Sequence, residues 1–238
     1  MPRHVASRGG TIDDMFDLPT QCAVCRGWNA ERLCGDCRAR HAAARPRCAG
    51  CAMPLAAGVE RCGACIARPM PLAHVVAAVD YEFPWSGLVV AFKFHAALDL
   101  ADALARLMVD AIRQCGAPLP DLVLPVPLGK DRQAERGMNQ AWELARRVGP
   151  ALRRPAHAYL LLRRFETPHL AALPRDERER AIRGAFALAP GAATHLRGRA
   201  VALVDDVMTT GATAAEASRA LLAAGAASVQ LWVFARTA

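Results

Sequence analysis

The chain has 238 residues, room for one large domain or for a medium domain beside a small one, and 53% of them are hydrophobic. No apolar run reaches the roughly 20 residues that a membrane-spanning helix needs, so an integral membrane protein is not expected. The formal charge of +8 suits a polyanion such as nucleic acid, or a phosphorylated ligand, although a solvated arginine-rich helix face fits the composition equally well.

Residues 1–17 carry Asp13, Asp14 and Asp17 and show none of the charged, apolar and cleavage regions of a signal peptide. They read as a loose tail on a cytoplasmic protein. Residues 18–70 are rich in Cys, Gly, Pro and Arg without sustained periodicity, so something other than a core of their own must hold them. Eight of the nine cysteines form C-x-x-C pairs: Cys22/Cys25, Cys34/Cys37, Cys48/Cys51 and Cys62/Cys65. Such a turn lets two thiolates converge on one ion, and two turns complete a tetrahedral zinc site of four cysteines. The pairs are separated by 8 residues in the first half and 10 in the second, which favours sequential pairing and two structural Zn²⁺ sites. Interleaved pairing stays open. Redox exchange and iron–sulfur ligation are the other uses of the motif. Four evenly placed pairs without a βαβ context argue against redox. The ten Arg and six acids of residues 1–70 give +4, which two zinc centres of four thiolates each would cancel. Any DNA contact by this module then needs a local patch such as Arg38, Arg40, Arg45 and Arg47. The ninth cysteine, Cys115, reads as a core residue.

From residue 74 to 238, apolar runs alternate with amphipathic segments, the α/β pattern with a parallel sheet. Val75–Tyr81 reads as a strand, Gly87–Arg113 as largely helical, and Leu122–Val126 as a buried strand. The aromatics of Tyr81–Ser86 suit a core better than a stacking platform. Asn139–Val148 reads as a helix, Ala158–Leu162 as a strand, and the polar stretch Arg163–Leu196 as an irregular, mobile loop. Residues 130–183 hold 13 Lys and Arg against 7 Asp and Glu. Val229–Phe234 is the last strand, with Gly225 closing the helix before it.

The most specific stretch is Val201–Thr213. A buried strand, Val201–Val204, ends in Asp205 and Asp206, at the carboxyl end where open α/β sheets bind ligands. Met208, Thr209, Thr210, Gly211, Ala212 and Thr213 follow, and a helix runs over Ala214–Ala224. Backbone N–H groups, hydroxyls and a helix N-terminus suit a phosphate, and the carboxylates suit sugar hydroxyls. Together they describe a ribose-5-phosphate site.

These residues resemble the phosphoribosyl-pyrophosphate (PRPP) motif of type I phosphoribosyltransferases. The resemblance implies that Asp205 and Asp206 hold the ribose 2′ and 3′ hydroxyls and that residues 208–213 hold the 5′-phosphate. A cysteine ribbon ahead of this motif is similar to the ComF family of competence proteins, over nearly the whole chain from Cys22 to Thr237. Lys93 in Ala91-Phe-Lys-Phe, Pro125-Val-Pro-Leu128, Arg136-Gly-Met-Asn-Gln140, Arg183-Gly-Ala-Phe186 and Ala235-Arg-Thr237 carry the similarity further. His169 and Ala181 depart from it. The resemblance implies a phosphoribosyltransferase domain linked to uptake of single-stranded DNA, with the DNA-uptake machinery as partner. Lys130, Arg132 and Arg136 would then meet pyrophosphate or track a DNA backbone, unless they only pair with Asp131 and Glu135. Mg²⁺ with PRPP is the expected ligand. The alternative is an active transferase that passes phosphoribose from PRPP to a nucleobase or amine acceptor.

Overall fold

A computed structural model describes residues 19–95, 97–166 and 175–238. The expected tail over 1–17 lies outside these residues, as does His169. The cysteine-rich region opens with a two-stranded antiparallel ladder, β1 (Thr20–Gln21) and β2 (Trp28–Asn29). Two short helices follow, α1 (Gly35–His41) and α2 (Gly63–Ala67), each starting directly after a cysteine, Cys34 and Cys62.

The rest of the chain alternates strand and helix. β3 (His74–Asp80) leads to α3 (Trp85–Phe94) and α4 (Ala101–Cys115), so the expected single helical stretch is two helices with a 3₁₀ turn at Leu98–Leu100 before the second. On α4 the apolar side chains recur at Leu104, Leu107, Met108 and Ile112, all buried, and Gly116 in the left-handed region ends the helix. Then come β4 (Leu122–Pro125), α5 (Lys130–Arg136) and α6 (Gln140–Ala151). A small hairpin pairs β5 (Leu161–Arg163) with β6 (Phe186–Leu188), and α7 (Arg175–Ile182) lies between them. α8 (Ala192–Leu196), β7 (Ala200–Met208), α9 (Ala212–Ala223) and β8 (Ser228–Arg236) complete the chain.

Four strands form one parallel sheet in the order β3-β8-β7-β4. Val201–Val204 and nearly all of β8 are buried, as expected for strands covered on both faces. One face carries α3, α4 and α6, and its core includes Trp85, Phe92, Leu104, Leu144 and Phe234. The other face carries α9 and the hairpin, with Leu124, Leu161, Phe186, Leu203 and Leu221. The ribbon divides between these cores: Cys22, Leu33 and Cys37 join the first, and Cys48, Cys51 and Cys65 join the second.

Several expectations need correction. The stretch Arg163–Leu196 is not irregular where it is described, because β5, α7, β6 and α8 occupy much of it. Its elements are short, and α7 is charged along its length, so the few apolar anchors (Ile182, Ala185, Phe186, Leu196) form no readable period. Cys115 is exposed at the end of α4, its thiol donating to the Ile112 carbonyl at 3.1 Å. Of the aromatics near residue 83, Trp85 is in the core and donates to the His41 carbonyl at 2.9 Å, whereas Phe83 is 81% exposed.

Candidate functional site

The eight paired cysteines come together sequentially. Cys22, Cys25, Cys34 and Cys37 form one group and Cys48, Cys51, Cys62 and Cys65 the other, with the sulfurs of each group within 4.8 Å of one another. Measured edges are 3.8 Å between Cys25 and Cys34 and 3.7 Å between Cys51 and Cys62. A tetrahedron with zinc–sulfur arms of about 2.3 Å has edges of about 3.8 Å, so both groups fit Zn²⁺. Backbone N–H groups point at the sulfurs, from Cys34 to Cys22 Sγ (3.4 Å), from Cys37 to Cys34 Sγ (3.4 Å) and from Cys62 to Cys48 Sγ (3.2 Å). At Cys22 burial raises the thiol, but the N–H groups of Cys34, Cys25 and Val24 outweigh it and bring it down to about 6. Cys48 comes down to about 7 by the same balance, with N–H groups from Cys62 and Gly50. Burial and neighbouring thiols push Cys37 up to about 12 and Cys65 upward. Without metal, each cluster therefore keeps some protons and sheds others.

Asp205 and Asp206 do not follow β7; they lie within it. β4 stops pairing at Val204, while β8 continues alongside to Met208. The acids therefore stand where one neighbouring strand has ended, and the strand itself carries them to the Thr-Thr-Gly loop. Met208 is the strand's last residue, and Ala212 and Thr213 form the first turn of α9. Asp206 is buried and accepts an ion pair from Lys93 of α3, Nζ to Oδ1, at 3.0 Å. Asp205 accepts from the Asp206 N–H at 2.8 Å. Burial first, then the Asp206 charge, push Asp205 up to about 7, against the lowering influence of Lys93, that N–H and Arg163.

The loop after the acids depends on glycine. Gly211 has φ +81°, and a Cβ there would stand 2.6 Å from Met208 Cε and 2.8 Å from Met70 Sδ. Thr210 Oγ1 accepts from the Ala212 N–H at 3.4 Å. Asp205 and residues 207–214 line a cavity of about 60 Å³, roughly the volume share of two water molecules, which suits one small polar group. The helix behind ends as a Schellman motif. Gly225 (φ +96°) donates to Leu222 and Ala226 to Leu221, as Gly225 was expected to close it.

Lys130, Arg132 and Arg136 ride on α5, just beyond the β4 end. Arg136 donates to Gln140 Oε1 (3.3 Å) and lies over the Phe94 ring at 5.0 Å, a cation–π contact. Glu166 sits at the start of α5, its Oε1 accepting from the Asp131 N–H at 3.2 Å, and a Cβ on Gly129 would meet its carboxylate. The Arg136–Gln140 motif proves architectural: Gly137 (φ +71°) ends α5 and Asn139 caps α6 through the N–H groups of Ala141 and Trp142. Asn139 also donates to the Val126 carbonyl (3.2 Å), and buried Gln140 to that of Lys93 (3.4 Å). In the ribbon's arginine patch, Arg38 and Arg40 are exposed, whereas Arg45 and Arg47 are bound to Asp80 at 2.9 and 2.7 Å.

Three cations near the acids were not singled out as ligand-binding by pattern alone. Lys93 and Arg236 are marked only by the family likeness, within Ala91-Phe-Lys-Phe and Ala235-Arg-Thr237. Arg163 of β5 lies over the Phe186 ring (5.6 Å); burial and then Arg132 lower its pKa, while Glu166 and Asp205 raise it, so it shares one electrostatic neighbourhood with all three. Arg236, the last residue of β8, is 9% exposed and donates from Nε to the Cys51 carbonyl (2.8 Å) and from Nη1 to that of Met208 (3.3 Å).

Among the described residues no helix is long and apolar enough to cross a membrane. Residues 16–66 match the double zinc ribbon domain family. Over 232 residues the chain is 35% identical to the DNA utilization protein YhgH of Escherichia coli O6:H1, covering 94% of this chain and all of that protein. It is 32% identical to competence protein F of Haemophilus influenzae, across 91% and 96% of the two chains. Among solved structures it is similar to the glutamine PRPP amidotransferase of B. subtilis, with 17% identity and a TM-score of 0.40, over 60% of this chain and 30% of that one. With relatives this similar along nearly its full length, the chain belongs to the ComF family, that of competence protein F and YhgH.

Proposed function

We propose that this protein binds PRPP, with Mg²⁺, at Asp205, Asp206 and residues 208–213, and uses that site in the cytoplasmic handling of single-stranded DNA taken up by the cell. The observation that carries this reading is the acid pair, half-buried Asp205 and buried Asp206, the latter paired with Lys93 at 3.0 Å, directly before a glycine-dependent loop at a helix N-terminus. Asp205 and Asp206 would accept from the ribose hydroxyls, and the N–H groups and hydroxyls of Thr209–Thr213 would take the 5′-phosphate. Lys93, paired with Asp206 Oδ1 at 3.0 Å, fixes the position of that carboxylate for the task. Asp205, pushed up to about 7, stands between its protonated and ionised forms near neutrality and can donate to or accept from a hydroxyl. Lys130, Arg132 and Arg136 would neutralise the pyrophosphate. Mg²⁺ bound along with PRPP would supply further charge neutralisation. The DNA role rests on the names of the two relatives, a DNA utilization protein and a competence protein.

The test is calorimetry of PRPP with and without Mg²⁺ on the wild type and on Asp205→Asn/Asp206→Asn. Binding that survives the double substitution would remove the acids from the site. Pyrophosphate release from PRPP with a nucleobase or amine, at an ordinary enzymatic rate, would replace the binding role by the transferase alternative.

A further inference from the structure

The two cysteine clusters differ in what they touch. The first packs with α3 and α4 on one face of the sheet. The second lies on the face of α9, and three connections run from its neighbourhood to the 209–213 loop or to the segments on either side of it, Met208 and α9. Met70, five residues after Cys65, places its sulfur against Gly211. Ser218 of α9, fully buried, donates its hydroxyl to the Pro71 carbonyl. The third connection is Arg236.

Its guanidinium donates to the Cys51 carbonyl (2.8 Å) inside the second cluster's turn, and to the Met208 carbonyl (3.3 Å) immediately before Thr209. It also donates to the carbonyl and Oγ1 of Thr237. The Met208 carbonyl is further held by the Thr237 N–H at 3.1 Å. Among the described residues no carboxylate pairs with Arg236, and the hydrogen-bond partners of this buried cation are backbone carbonyls and a hydroxyl. Such a group is costly unless its surroundings are electronegative. The four thiolates of the second cluster around a dication would carry a net charge of about −2; burial lowers the Arg236 pKa, and the Cys51 and Cys65 sulfurs act in the opposite direction. A planar fork of donors that spans two backbone carbonyls from different segments also fixes the distance between them, which a single ammonium cannot do.

We propose that Arg236 is a positioning residue for the phosphate loop, and that the second cysteine cluster, with its zinc, is the support against which it holds that loop. The proposal rests on the PRPP reading and adds a consequence to it. Ligand binding at the loop and metal retention at the second cluster are thermodynamically coupled, and coupling of this kind is reciprocal. The first cluster, on the opposite face, stands outside the coupling.

The experiment uses the full chain loaded with two zinc ions and a chromogenic chelator to follow zinc release, with and without Mg²⁺ and PRPP. One ion should leave about tenfold more slowly when PRPP is bound and the other at an unchanged rate. Cys25→Ser, which disables only the first cluster, should keep the protected ion. Arg236→Met should hold two zinc ions, lose the protection, and bind PRPP about 30-fold more weakly, equivalent to about 2 kcal/mol. Arg236→Lys should fall between. If PRPP binds the wild type yet protects neither ion, the coupling is wrong, and this arm needs no variant. Arg236→Met binding PRPP like the wild type would overturn the positioning role. If calorimetry shows no PRPP binding to the wild type, the parent reading fails and this one with it.

Discussion

Lys93→Met keeps the length of the side chain and deletes the ammonium that lies 3.0 Å from Asp206 Oδ1. The two side chains are 20% and 10% exposed, so water cannot replace the lost charge. At that distance the gross attraction is about 5.5 kcal/mol for an effective dielectric of about 20. The net value of such a pair is smaller, because both ions were desolvated to form it. Removing one partner of a buried pair nonetheless costs about 3–5 kcal/mol, since a carboxylate is left buried and alone. With Lys93 partly exposed, the lower end applies: about 3 kcal/mol, or roughly 6–12 °C in melting temperature for a chain of this size.

Thermal unfolding of the zinc-saturated protein at pH 8 should show this loss in full. Its pH dependence follows from Asp205, which burial and the Asp206 charge push up to about 7, above the roughly 3.9 of an unfolded aspartate. A raised carboxylate contributes stability that is complete below about pH 4 and is lost as pH rises through about 7. Lys93 lowers Asp205, so removing it extends the decline to higher pH. The gap between wild type and Lys93→Met should therefore be widest at pH 8 and narrow by pH 5. Lys93→Met/Asp206→Asn, which removes both charges, should recover at least half of the loss at pH 8. A loss below about 1 kcal/mol, a gap that widens on acidification, or no recovery in the double variant would refute the reasoning.

Gly211→Ala adds left-handed strain of about 1–2 kcal/mol and a clash with Met208 Cε and Met70 Sδ. It should lower the melting temperature and weaken PRPP binding at least tenfold; unchanged calorimetry would show that the loop does not hold the phosphate. Elemental analysis should find two zinc ions per chain, falling to one in Cys62→Ser. Zinc affinity should fall as pH falls, because Cys37, Cys51 and Cys65 are raised and must lose protons to bind metal; a titration without proton release would contradict the thiol pattern. Glu166→Gln removes the carboxylate resting on Gly129 and the Asp131 N–H. If pyrophosphate is taken by Lys130, Arg132 and Arg136, PRPP should bind several-fold more tightly, and weaker binding would move the pyrophosphate elsewhere.

What could be read from the sequence was local. A C-x-x-C turn is a few residues long, and the short spacers between pairs left little freedom in how they close, so both clusters match the sequential pairing. The strand, acid pair and Thr-Thr-Gly loop are likewise contiguous. The length of β7 was misjudged because two adjacent acids look like the end of a strand. Here β8 continues alongside and supplies the pairing through Asp205↔Val233 and Met208↔Arg236. Lys93, Arg163 and Arg236 come from three distant elements; Lys93 and Arg236 fall in stretches that the family likeness marks, and nothing in its neighbouring residues signals Arg163. The order in Arg163–Leu196 was hidden for another reason. A hairpin of three-residue strands and a helix of mostly charged residues bury too few side chains to show a period.

The placement of the ribbon explains how a four-stranded sheet can leave β3 at its edge. An uncovered edge strand invites pairing with other chains. Here Ala49, between Cys48 and Cys51, accepts from the Val75 N–H at 2.8 Å, and Asp80 at the far end of β3 binds Arg45 and Arg47. Arg47 donates to the Ala52 carbonyl as well (3.0 Å), so the second cysteine turn is fastened at both ends of the strand. Meanwhile Cys22 and Cys37 enter the core on one face of the sheet and Cys48, Cys51 and Cys65 the core on the other. The ribbon thus straddles the edge, with one cluster against each face. Loss of the second metal would loosen the core that Met208 and Ala212 share and free the β3 edge, whereas loss of the first would loosen the core on the opposite face.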